Sequence, residues 1–203
     1  VVYTKTELAE QVQKMFEGYR GWNLAAEGLV AEEFITGPEF TTLIVGSSLF
    51  PEQCIIYEPV ERVFHPSLPD KEKFLSFDRL WEIYEEESPM PEEGNFYEYE
   101  SPDPSLTAAL KQISLDAYIA VGGTGYTSVD IRMDAVTQQL YVLEVNAQCG
   151  LSEDEDYTSI GAILRVSKKS FTQLIVEIIN DAFRRQKECI SNQPNGNVLV
   201  RQI

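Results

Sequence analysis

The spacing of apolar and polar positions changes period along the chain, and each change marks an element. Leu8, Val12, Met15, Phe16 and Tyr19 recur at helical spacing behind Thr4-x-x-Glu7, which has the form of a capping box. A first helix is therefore expected to end near Gly18 or Gly21. Residues 28–34, 40–45 and 54–60 read as strands, with Thr36-Gly37-Pro38 as a turn between the first two. Residues 64–103 lose all periodicity and carry Pro66, Pro69, Pro89, Pro91 and Pro102 with the acidic run Glu85-Glu86-Glu87. A loop of that length in a compact domain is a functional lid or disordered, and a solvated loop accounts for the acidic run. Leu106, Ala109, Leu110, Ile113 and Ala117 restore a helical stripe after Pro104-Ser105. A closing helix follows from about Lys168 to Glu188, beyond a loop at 150–167. The pattern as a whole is α+β, an antiparallel sheet with helices packed on it. Residues 190–203 read as a flexible tail.

Two strands between the last helices carry the chemistry. Val129-Asp130-Ile131 and Leu140-Tyr141-Val142-Leu143-Glu144-Val145-Asn146 are mostly apolar, with Gln138-Gln139 as a hairpin turn. Asp130 and Glu144 sit in polar slots of these strands, and Asn146 shares the face of Glu144 two residues on. Three oxygen ligands on neighbouring strands suit a hard cation such as Mg²⁺, with Mn²⁺ as an alternative. A buried carboxylate without a partner is costly, so clustered acids on strands call for a cation. An edge strand with solvated acids gives the same spacing.

Composition narrows the partners. The 203 residues include 43% apolar side chains and ten each of Tyr and Phe, enough for a real core. A net charge of −17 argues against nucleic acid, but not against a nucleotide whose charge a metal ion neutralises locally. No apolar run approaches the roughly 20 residues of a membrane span. Cys54, Cys149 and Cys189 are odd in number and widely spaced, which suggests reduced thiols in a cytoplasmic protein. The single histidine, His65, lies far from Cys149 in sequence, which weakens the idea of a cysteine nucleophile.

Glu32-Glu33-Phe34-Ile35-Thr36-Gly37-Pro38-Glu39-Phe40-Thr41, followed by Glu144-Val145-Asn146-x-x-x-Gly150, resembles the ATP-grasp fold and within it the D-alanine–D-alanine ligase family. The resemblance covers nearly the whole chain and implies mainly antiparallel sheets with packed helices over residues 1–189. It implies an ATP site between two sheets, with 64–103 as a lid-like loop. Glu32 and Ile35 would contact adenine, Phe34 and Phe74 would form apolar walls, and Glu39 would accept from the ribose hydroxyls. Asp130, Glu144 and Asn146 would hold the Mg²⁺ ions that bridge the phosphates. The Gly150 N–H would stabilise the oxyanion formed as an amine attacks an activated carboxylate.

Departures from the family pattern fall on its basic residues. Ser128 stands where the family's carboxylate-clamping arginine is expected, with Arg132 as a nearby substitute if the strand is regular. Leu80 aligns with the lid lysine, although Lys71, Lys73 and Arg79 are close. Ser152-Glu153-Asp154-Glu155-Asp156 replaces the family's serine-bearing substrate contacts with acids that repel a carboxylate. The resemblance also places the glycine-rich phosphate loop and an N-terminal substrate domain before Val1, so a fragment of a longer chain is expected. The expected function is ATP-dependent carboxylate–amine ligation of an amino acid or peptide-like substrate other than D-alanine. The alternative is a catalytically degenerate relative serving as a nucleotide-binding or scaffold protein, and a homodimer is compatible with either. An unrelated third reading is an acidic protein-interaction domain docking through residues 64–103.

Overall fold

The computed structural model describes residues 1–18, 21–23, 25–80, 87–88, 94–154 and 158–191. The elements run α1 (Lys5–Glu17), β1 (Glu39–Ser47), β2 (Ile55–Ile56), β3 (Val60–Phe64), α2 (Phe77–Leu80), β4 (Tyr97–Glu100), α3 (Thr107–Ala120), β5 (Thr124–Met133), β6 (Leu140–Ala147), α4 (Ser159–Ser167) and α5 (Phe171–Ser191). The capping box at α1 forms as expected. The Glu7 N–H donates to Thr4 Oγ1 at 3.1 Å, and Glu7 Oε2 accepts from the Thr4 N–H at 2.9 Å. Gly18, at φ 92°, ends the helix. The architecture is α+β, as the sequence implies.

One antiparallel sheet has the order β4-β3-β1-β5-β6, and β2 pairs with the far end of β1. The described strands all belong to this one sheet. Alternation along β1 and β5 divides the sheet into two faces. Phe40, Ile44, Val129, Ile131 and Met133 point to one face, where Leu110 and Tyr118 of α3 cover them. Leu43, Val45 and Val60 point to the other, under Ile160, Ile163 and Leu164 of α4 and Leu174 of α5. On that second face the apolar cover stops short of Glu39 and Thr41, and the uncovered end is polar.

The β5–β6 hairpin turns on Asp134, whose Oδ1 accepts from the N–H groups of Val136 and Thr137, and Gln138 takes φ 60°. In the ladder Asp130 faces Glu144 and Ile131 faces Val142, so Leu143 is an extra residue in β6. This bulge shifts the phase of the strand. It lets Leu140, Val142 and Val145 all pack against the α3-side cluster while Glu144 and Asn146 face the other way.

Several expected elements differ. Residues 28–34 form no strand, because no neighbour supplies a ladder. The strand expected at 54–60 is interrupted at Pro59 and splits into β2 and β3, the latter extending to Phe64. Within 64–103, residues 97–100 form β4, paired antiparallel with β3. The expected loop at 150–167 contains α4, capped by Thr158 Oγ1 on the Gly161 N–H at 3.1 Å. Tyr19, parts of the loop at 64–103, the acids Glu155 and Asp156, and residues 192–203 of the tail lie outside the described residues. No described helix is long and apolar enough to cross a membrane.

Candidate active site

The uncovered polar end of the sheet is a wall built register by register. Thr41 lies opposite Asp130, and Asp130 lies opposite Glu144, so three strands bring these side chains into one row. Ser128 lies opposite Asn146 in the next row on that face. Thr41 Oγ1 donates to Asp130 Oδ1 at 2.6 Å. Asn146 Nδ2 donates to Asp130 Oδ2 at 3.0 Å and to Glu144 Oε1 at 2.9 Å. All three expected metal residues therefore converge.

Their electrostatics fit a cation. Burial pushes the Asp130 carboxyl from 3.8 up to about 6, against the Thr41 hydrogen bond and the charge of Arg62, while Glu144 pushes it further up. The site brings a largely buried carboxylate against a second one, with only an amide N–H₂ to separate them. The donor set is two carboxylates and an amide, and the amide can turn its oxygen inward when a cation arrives. Among the described residues there is no cluster of three His, Cys, Asp or Glu side chains that could hold a metal, so any cation here depends on Asn146 or on oxygens from a bound nucleotide.

A cavity of about 750 Å³ opens in front of this row. Its lining joins Asp130 and Glu144 to Glu39 and Arg62 on the sheet, and to Glu32, Ile35 and Phe74 on the segments facing it. Six residues named from sequence thus line one cavity of a size typical for small-molecule sites. Phe34 is not among the lining residues. It meets Phe74 edge-to-face at 5.8 Å and lies under the Arg132 guanidinium at 4.6 Å, so it supports the wall from behind.

Glu39 is buried and bound on both oxygens, by Arg62 on Oε1 and by Arg132 Nη2 on Oε2 at 3.1 Å. Its register explains the pairing: Arg62 on β3 and Arg132 on β5 are its two lateral neighbours. Strand β5 is regular against β1, so Arg132 does share the face of Ser128 and Asp130. Arg132 is nevertheless committed, since it also donates to Ile35 O at 3.0 Å and to Lys73 O. Arg79 is likewise buried, held by Glu72 at 2.6 Å and by Glu87, with its guanidinium 4.3 Å over Phe96. The side chain of Leu80 lies outside the described residues.

At the other end of the face, Ser128 is buried beside Cys149, and Cys149 and Leu151 pack onto the α4-side core. Burial pushes the Cys149 thiol up, the opposite of what a nucleophile needs. Gly150 and Asn146 do not line the cavity. Gly150 is exposed, and a Cβ there would meet nothing within 4 Å, so packing does not demand a glycine. Arg62 is the residue that sequence reading missed. Its signal is its place in Val60-Glu61-Arg62-Val63-Phe64, two residues along from a core valine on the site face.

A solved D-alanine–D-alanine ligase from Bacillus anthracis, in complex with ATP, matches 92% of this chain and 50% of its own, with a TM-score of 0.60 at 19% identity. The fold is that of the D-alanine–D-alanine ligases. In sequence, a D-alanine–D-alanine ligase of Stutzerimonas stutzeri is 24% identical over 171 residues, 84% of this chain and 46% of the relative. A D-alanine–D-alanine ligase B of Xanthomonas campestris is 42% identical over 50 residues, 25% of this chain and 16% of its own. The chain spans about half the length of the broader matches among these ligases. No protein-family model matches it.

Proposed function

We propose that this chain is the nucleotide- and metal-binding part of an ATP-dependent carboxylate–amine ligase, acting on an amino acid or peptide-like substrate other than D-alanine. One observation carries the reading: Asp130 and Glu144, bridged by Asn146, share a cavity wall with Glu39, Glu32, Ile35 and Phe74. The likeness in fold to a ligase solved with ATP supports the same ligand here. Glu32 and Ile35 hold adenine, Phe74 walls it with Phe34 behind, and Glu39 accepts from ribose with the lone pairs its arginines leave free. Asp130, Glu144 and Asn146 hold Mg²⁺ or Mn²⁺. Bound ATP and metal supply the phosphoryl group and the charge neutralisation that activate a substrate carboxylate as an acyl phosphate. The Gly150 N–H, just outside the cavity lining, would stabilise the oxyanion formed as an amine displaces phosphate.

Ser128, with no guanidinium to clamp a carboxylate, and the acids Glu153 and Asp154 argue against D-alanine. The same Ser128, closed in beside Cys149, favours a second reading: a relative that binds nucleotide without ligating. Phosphate release from ATP, screened across amino acids and small amines in the longest natural form of the protein, separates the two. Substrate-dependent release lost in Asp130→Ala supports the ligase. Binding of ATP without release for any candidate supports the second reading.

A further inference from the structure

We propose that Arg62 is the cation that receives the phosphate chain of the nucleotide, held for that task between Glu39 and Tyr99. The inference rests on the nucleotide reading of the cavity and names a residue that this reading does not use. The wall carries the acids Glu32, Glu33, Glu39, Asp130 and Glu144, and among the described lining residues the one Lys or Arg is Arg62. A polyphosphate approaching such a wall is repelled everywhere except at the metal row and at this guanidinium.

The other cations nearby are turned elsewhere. Arg132, 4% exposed, spends its Nη atoms on Glu39 and on the carbonyls of Ile35 and Lys73. Lys73 pairs with Asp70 at 2.7 Å and lines not this cavity but an adjoining one of about 300 Å³, which Arg62 and Arg132 line as well. Arg79 is enclosed with Glu72 and Glu87.

Arg62 is different in kind. Nη1 donates to Glu39, while Nε and Nη2 reach the Tyr99 hydroxyl at 3.4 and 3.1 Å. A guanidinium has five N–H groups, so this pattern leaves two for a ligand. Its plane also lies near the rings of Tyr97 and Tyr99, at 5.3 and 5.6 Å. Such a fork is fixed in place before any ligand arrives, and a fixed fork suits phosphate oxygens. Its place on β3 sets it beside the carboxylate assigned to ribose and one register step from the Thr41–Asp130 row. It flanks Glu39 on the side away from β5 and β6, and its charge still reaches Asp130 across the cavity floor, so a phosphate chain bound over Glu39 and Asp130 has this guanidinium along its β3 side.

The test is equilibrium binding of adenosine, AMP, ADP and ATP, with Mg²⁺, to the full chain and to Arg62→Gln, Arg62→Lys and Tyr99→Phe. Arg62→Gln is expected to weaken the phosphate-bearing ligands by about ten- to a hundredfold and to leave adenosine within about twofold. The ligand at which the loss first appears identifies the phosphate contacted. Arg62→Lys should recover part of the loss, and Tyr99→Phe should show a smaller loss in the same order. If Arg62→Gln does not fold, Arg62→Lys decides by the same comparison of ATP with adenosine. Equal losses for adenosine and ATP would overturn the proposal, leaving Arg62 as a structural partner of Glu39. Unchanged ATP binding in Arg62→Gln would overturn it while the nucleotide cavity stands. A wild-type chain that binds none of the four ligands would remove the nucleotide reading and this proposal with it.

Discussion

Replacing Asp130 by Asn is expected to stabilise the metal-free protein near neutral pH. In the folded chain the carboxyl titrates at about 6 instead of 3.8, because burial and Glu144 disfavour its charge. Between those pH values the folded state binds more protons than the unfolded state. Stability therefore falls as pH rises through this window, and the deficit is fully present above it. The raised pKa corresponds to a ceiling of about 3 kcal/mol. The Asp130→Asn change would set an amide N–H₂ against the donors Thr41 and Asn146, which offsets about 1 kcal/mol. The net expectation is a gain of about 1–2 kcal/mol at pH 7.5, shrinking to nothing or reversing toward pH 4. Urea unfolding in EDTA at a series of pH values measures it. A variant that loses more than about 1 kcal/mol at pH 7.5 would refute the reasoning, because Asp130 would then support the fold instead of being strained by it.

Other perturbations probe other parts of the wall. Glu39→Ala leaves Arg62 and Arg132 without their shared carboxylate and should cost about 3–5 kcal/mol in urea unfolding, with Glu39→Gln milder. Gly37→Ala should destabilise by about 2 kcal/mol or more in the same assay. Its Cβ would fall 2.0 Å from Met133 O and 2.9 Å from Ala135 N, at φ 151°. Burial raises the thiols of Cys54 and Cys149, so mass-resolved alkylation at pH 7.5 should label both more slowly in the folded protein than in urea.

The convergence of Asp130, Glu144 and Asn146 was legible in the sequence because it is a strand pattern. Asp130 and Glu144 break apolar runs, and two-residue spacing places Asn146 beside Glu144. The bulge at Leu143 was not visible, although it keeps both that spacing and the core contacts of Val142. Helix α4 was missed for a related reason: Ile160 to Leu164 are buried together, so no polar face marks a helical period. In β4, Tyr97-Glu98-Tyr99-Glu100 alternates, but it follows an acidic, proline-rich stretch that reads as loop. Residues 28–34 have strand composition but no partner strand, and composition alone cannot supply one. Arg62 escaped because its position is set by cross-strand neighbours, Glu39 and Tyr99, that lie 23 and 37 residues away.

The most direct measurement is a titration of Mg²⁺·ATP into the protein and into Glu144→Ala, with unfolding curves for both. Glu144 is exposed and its carboxylate accepts from the Asn146 amide, so the variant should fold within about 0.5 kcal/mol of the parent. The wild type should bind with a requirement for Mg²⁺ or Mn²⁺, and the variant should lose that metal-dependent binding. Equal affinity in the two proteins, or binding indifferent to the metal, would contradict a cation held between Asp130, Glu144 and Asn146.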